Sequence, residues 1–205
     1  MNGADIDDRI RNIIPSHTLL PACVYVASHI KEKGIVEHKG KAGKLIFGKD
    51  PANGSTEIEW VIELMKNSKI DFDFKENPFA DIWTKFFFVS SFGLVTAKYN
   101  SSIGTVCTDE IQRKEATEVM KEVKQIADKI GIGLPEDMID KTFEKAKTFP
   151  PATPTSLQLD INVKKQNSEL ELFAGAIINY GKELNIDTPF TEKIYLELKD
   201  LISSL

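Results

Sequence analysis

Apolar and polar residues alternate in short blocks over the first part of the chain, then switch after Pro78 to the three-to-four spacing of helices. Leu19 to Ile30, Ile35 to His38 and Lys44 to Phe47 are rich in β-branched or aromatic residues and are separated by glycines, which predicts strands. Gly34 and Gly40, then Gly43 and Gly48, predict the turns of an antiparallel set. Thr56 to Asn67 is predicted as an amphipathic helix with Ile58, Val61, Ile62 and Met65 on one face and Ser55 as its N-cap. Ile70 to Phe74 alternates apolar with acidic residues, the pattern of a half-exposed strand.

Beyond Pro78 the pattern is helical. Ile82 to Tyr99 is apolar nearly all round and predicts a helix buried in the middle of a bundle. Thr108 to Ile130 predicts a long amphipathic helix, with Asp109 and Glu110 suited to its first turn and Gly131 to its end. Pro135 opens a helix to about Thr148, and Phe149 to Thr155 is too rich in proline to continue it. Ser168-x-x-Glu171 predicts a capping box for a helix ending near Asn185. Thr188-Pro189 caps a final helix. The expected organisation is a mixed α/β piece over residues 1–78 and an all-helical domain over residues 79–205, with the boundary near residues 75–80.

Composition narrows the classes of function. Of the 205 residues 41% are hydrophobic and 28% charged, and the net charge of -5 with no lysine-arginine cluster argues against a nucleic-acid partner. The acidic start is no signal peptide, and no apolar run approaches a membrane span, so a cytoplasmic protein is expected. Cys23 and Cys107 are far apart, in no metal spacing, and read as small hydrophobes. His17, His29 and His38 show no ligand spacing, and Asp71, Asp73 and Glu76 read as a solvated strand face, so no metal is expected.

One residue stands out chemically. Lys85 is the lone cation within the apolar run Phe79 to Val95. Burial lowers a lysine's pKa and makes it a better proton donor near neutrality. The plainer alternative is a lysine that snorkels from a buried helix into solvent.

Ordered strings along the chain carry a family resemblance. Asn2-Gly3, Asp7-Asp8-Arg9, Leu20-Pro-Ala-Cys-Val-Tyr-Val, Ile82-Trp-Thr-Lys85-Phe, Thr96-Ala97 and Ile103-Gly104 come first. Thr155-Ser156-Leu-Gln-Leu-Asp160, Glu169-Leu170 and Gly181 to Pro189 follow. This set resembles the C-terminal part of the ketopantoate reductases (2-dehydropantoate 2-reductases). The resemblance implies a mainly α fold: a helical C-terminal domain of the 6-phosphogluconate-dehydrogenase-like type, preceded by a partial α/β, incomplete Rossmann segment. It implies NADPH-dependent reduction of ketopantoate to pantoate, on the path to pantothenate and coenzyme A, by a homodimer. It places the catalytic lysine on Lys85, an active-site glutamate that orients the lysine or ligand on Glu169, a substrate-carboxylate ligand on Ser156, and a residue beside the nicotinamide on Asn2. Read without the resemblance, Ser156 is a turn or cap residue and Glu169 an acid of a helix's first turn.

Two departures bear on function. Many family members carry asparagines where this chain has Val89 and Gly93, and Ile103 replaces a third polar position. The substrate's hydroxyl is then read differently, or the substrate is another 2-keto acid. The dinucleotide fingerprint G-x-G-x-x-G is also absent; Gly40-x-x-Gly43 is the nearest sequence, and the lysine-rich segment Lys39 to Lys49 reads as a solvated hairpin. The chain is therefore expected to be a fragment or a truncated relative that binds NADPH weakly or not at all and self-associates. The competing expectation is a non-catalytic binding or dimerisation module.

Overall fold

The computed structural model describes residues 3–14, 18–26, 28–38, 43–53 and 57–203. The chain divides into two units, one built on Ile6–Ile82 and the other on Trp83–Leu205 together with Gly3–Asp5. The fold is mainly α with a small partial sheet.

The first unit opens with helix α1 (Ile6–Ile13). Strands β1 (Ala22–Tyr25), β2 (Ser28–Glu32), β3 (Ile35–His38) and β4 (Lys44–Gly48) follow, then helix α2 (Glu59–Asn67) and strand β5 (Phe72–Lys75). β2 and β3 form a separate antiparallel hairpin, and the other sheet has the order β1-β4-β5. β1 runs antiparallel to β4, as expected, but β4 and β5 are parallel. Parallel neighbours require a crossover, and α2 supplies it. Cys23, Ile46 and Ile82 bury together with Phe79 against them, while Phe47 lies 5.6 Å from both Phe72 and Phe74.

Two expectations change here. Gly34, at φ 84°, does turn the β2–β3 hairpin. Gly48 does not turn the chain: it ends β4, and a Cβ there would lie 2.1 Å from the Lys75 carbonyl oxygen of β5. Close backbone approach is its reason for being glycine. The expected helix start falls later, at Glu59 with Ile58 as N-cap, and Ser55, Gly40 and His17 lie outside the described residues.

The second unit is helical. Its axis is α3 (Phe79–Tyr99), whose Phe86, Phe87, Phe92, Leu94 and Val95 are fully buried. Ser90, Ser91 and Thr96 are buried too, and each hydroxyl donates to the carbonyl four residues back, at 2.7, 2.7 and 2.8 Å. A helix can thus bury hydroxyls without leaving them unmet. The predicted helix Thr108–Ile130 forms, and a second, shorter helix precedes it. α4 (Ile103–Thr108) and α5 (Glu110–Lys129) meet at Asp109, whose carboxylate accepts from the Gln112 amide at 2.9 Å. Asp109 is therefore a cap between helices and not a first-turn residue. α6 (Met138–Lys147), α7 (Ser156–Asn162), α8 (Ala176–Leu184) and α9 (Pro189–Ser203) complete the unit.

The proline-rich connection from Phe149 is pinned to α4. The Ile103 and Gly104 amides donate to the Thr153 and Pro151 carbonyls at 3.0 and 2.9 Å. A Cβ on Gly104 would lie 2.6 Å from the Pro151 carbonyl oxygen and 2.7 Å from its Cα, so backbone itself must move. Gly104→Ala is expected to cost about 1–3 kcal/mol by overpacking. Urea denaturation checks this, and an unchanged midpoint would show that the connection yields freely.

α5 buries Glu122 among its apolar residues. The carboxylate accepts from the Phe190 amide at 2.8 Å, the Thr191 amide at 3.0 Å and the Thr191 hydroxyl at 2.6 Å, so an acid from α5 caps the head of α9. Burial pushes the Glu122 carboxyl above its ordinary range, against the lowering effect of these three donors.

Candidate active site

Lys85 stands half-buried on α3, and its neighbours at helical spacing on the same face are Val89, Phe92 and Thr96. Ring contacts brace this part of the helix: Trp83 against Tyr180 at 5.5 Å and Phe86 against Phe173 at 6.4 Å. Farther along, the Thr96 hydroxyl lies 2.7 Å from that of Thr155. Gly93 meets the same elements, since a Cβ there would sit 3.3 Å from the Phe173 ring and 3.7 Å from Leu157. The face of α3 that bears Lys85 is thus the face against which the Thr155–Leu157 and Phe173 segments pack. Thr96 lies about 16 Å along the axis from Lys85 and Gly93 about 12 Å.

Thr155 is the N-cap of α7 and accepts from the Gln158 amide at 3.3 Å. Capping by Thr155 releases its neighbour: Ser156, exposed at the first helical position, donates its hydroxyl to the Glu169 carboxylate. Two of the expected site residues, 13 positions apart, are therefore bonded to each other. Lys85 stands on α3, about 16 Å along its axis from the Thr96–Thr155 contact, and Asn2 lies outside the described residues.

The segment after Glu169 departs from the expected capping box. Ser168 accepts from the Leu170 amide at 3.5 Å, while the Glu171 carboxylate receives the Tyr195 hydroxyl at 2.7 Å and the Lys199 ammonium at 3.0 Å. Glu171–Gly175 forms a π-helical turn that runs directly into α8. Such turns recur beside functional residues. Sequence gave one cue to it: Gly175, where a Cβ would stand 2.7 Å from the Glu171 carboxylate.

The head of α2 offers no site for a dinucleotide's phosphates. The one parallel crossover among the described residues is β4–α2–β5, and its approach carries Asp50, buried and paired with Arg11. The Ile58 amide at the head of α2 already donates to the Glu59 carboxylate at 3.0 Å. An acid thus holds the place where a pyrophosphate needs free amides and positive potential. Among the described residues no group of three or more His, Cys, Asp or Glu is arranged to hold a metal, and no helix is long and apolar enough to cross a membrane.

Comparison with known proteins agrees with this architecture. Residues 78–201 match the family profile described as the ketopantoate reductase PanE/ApbA C terminal. A curated relative, the 2-dehydropantoate 2-reductase of Streptococcus pyogenes serotype M3, is 23% identical over 199 residues, covering 95% of this chain and 63% of its own length. The crystal structure of a PanE/ApbA family ketopantoate reductase from Ralstonia eutropha superposes with a TM-score of 0.86 at 21% identity, over 99% of this chain and 65% of the other. A ketopantoate reductase from Staphylococcus aureus, described as dimeric, gives 0.80 at 22% identity, over 94% and 65% of the two chains. This chain therefore spans less than two-thirds of the length of the curated relative it matches.

Proposed function

The chain belongs to the ketopantoate reductase family, and we propose that its helical unit forms the substrate and proton-donating side of a 2-keto acid reductase, with ketopantoate to pantoate as the reference reaction. The observation that carries this reading is the Ser156–Glu169 bond, made by elements that pack on the Lys85 face of α3.

The roles follow from the charge that the reaction creates. Reduction of a ketone carbon by NADPH leaves negative charge on the oxygen, and a held cation that then gives up a proton lowers that barrier. Lys85 takes this part at its Nζ. Ser156 has a single hydroxyl proton, now given to Glu169, so binding a substrate carboxylate requires that hydroxyl to rotate from one carboxylate to the other. In this reading the Lys85 cation also offsets the repulsion between the Glu169 and substrate carboxylates. Association with a second copy of the chain belongs to the same reading. The absent dinucleotide fingerprint, with Val89, Gly93 and Ile103 where the family carries polar residues, favours a second reading, a binding or dimerisation module without catalysis.

Fluorescence titration with NADPH, titration with ketopantoate, and an NADPH-consumption assay on the chain and its Lys85→Ala variant test this together. Ketopantoate binding that weakens in the variant, with NADPH binding weak or absent, is the expected result. Failure to bind either compound leaves only the non-catalytic module.

A further inference from the structure

Helix α9 buries Thr191, Ile194, Leu198 and Ile202 and turns its other side to solvent. That outer side carries Phe190, Leu196 and Leu201, which are 37%, 62% and 47% exposed, interleaved with the exposed Lys193 and Asp200. At about 100° per residue these five positions fall within about 140° of one another, so they form one face. Among the described residues neither Lys193 nor Asp200 makes an ion pair, whereas Glu197 on the same face is taken by Lys98 at 3.1 Å.

Single exposed apolar residues are ordinary on a soluble protein. This face differs because its charges and its apolar groups are placed almost evenly about one midpoint. Lys193 lies about 4.5 Å before Leu196 along the axis and Asp200 about 6 Å after it, while Phe190 lies about 9 Å before and Leu201 about 7.5 Å after. A two-fold axis beside Leu196 would lay a second α9 antiparallel on the first. Lys193 then meets the partner's Asp200 and Phe190 meets the partner's Leu201, each twice. The hollow at the Leu201 end is lined by Lys98, Tyr99, Glu197, Asp200 and Leu201. Tyr99 and Leu201 give it apolar walls, and the Phe190 ring of a second copy is the group that the two-fold carries to them.

Association with a second copy is part of the proposed function, and resting on that reading we infer that the outer face of α9 is the surface through which it occurs, packed antiparallel on the same face of the second copy. Burial of Phe190, Leu196 and Leu201 supplies the affinity. The Lys193–Asp200 pairs fix the direction, since a parallel copy sets lysine beside lysine and aspartate beside aspartate.

Sedimentation equilibrium of the full chain, with Lys193→Asp, Asp200→Lys and the double variant, tests this. Either single substitution sets like charges opposite each other twice and is expected to weaken the dimer at least about tenfold. The double variant reverses both charges and is expected to return close to the native affinity. An equimolar mixture of the two single variants should do the same, because every pair in the mixed dimer is again opposite in sign. Such recovery excludes misfolding as the cause of the loss. A native chain that stays monomeric overturns the reading of self-association and this inference with it. A native dimer that the single variants leave unchanged overturns the inference alone, as does a loss that either the double variant or the mixture fails to restore.

Discussion

Lys85→Ala is expected to weaken binding of a 2-keto acid by about tenfold and, in a chain joined to a nucleotide-binding half, to lower its turnover by about a hundredfold to ten-thousandfold. Lys85 is the lone cation between Phe79 and Val95. The developing oxyanion therefore loses both its counter-charge and its proton donor, and no neighbour on α3 replaces them. Lys85→Arg separates the two losses. Arginine keeps the charge but does not release a proton near neutrality, so it should restore binding while leaving turnover low. NADPH consumption gives the turnover and calorimetry the binding. Turnover retained in Lys85→Ala would remove the lysine from the chemistry.

Glu122→Ala carries the largest expected effect on stability. Three hydrogen bonds at the head of α9 vanish, and two of the orphaned donors are backbone amides with no other acceptor supplied by the substitution. Breaking such a buried arrangement costs about 2–4 kcal/mol, which lowers the melting temperature of a domain this size by roughly 5–15 °C. The same carboxyl gives a pH signature. Its pKa is raised in the folded chain, first by burial, so the native state holds the proton more tightly than the unfolded state does. Stability is then greatest with the proton bound. It falls as pH climbs from the ordinary glutamate value of 4.5 through the raised one, and levels above it. Glu122→Gln should flatten that slope. Urea unfolding at stepped pH measures it, and a slope unchanged by the glutamine would assign it to other groups.

Sequence alone located the helices wherever the apolar pattern was unambiguous. α3 reads as buried all round, and from Ser90 to Ala97 it is; Pro189 opens α9 as its fixed φ favours. What it missed depended on contacts made at a distance. Asp109 looks the same in sequence whether it stands in a first turn or caps the gap between α4 and α5. Glu122 sits at the edge of an amphipathic stripe, about 40° from Ile126 on a helical wheel; its burial was hinted at there, its partners in α9 were not. The parallel pairing of β4 with β5 follows from the α2 crossover and not from any local alternation. At the candidate site, Lys85 was visible as a cation in apolar company. Ser156 and Glu169 were visible only through family resemblance, because each alone is an ordinary cap or first-turn residue. Thr96, which ties α3 to the cap next to Ser156, gave no local signal, since a threonine in a buried helix usually does no more than bond its own backbone.

The π-helical turn at Glu171–Gly175 sets the phase of what precedes it. Such a turn holds an extra residue, so every side chain before it is rotated by about 100° relative to an uninterrupted α-helix. Glu169 lies just ahead of that offset. Wound as plain α-helix from α8 backwards, the same residues would swing Glu169 about a quarter turn around the axis, away from the direction in which Ser156 now meets it. The angular aim of the glutamate is thus held by five residues outside the Ser156–Glu169 bond, and a single deletion among them would re-aim the acid without altering it.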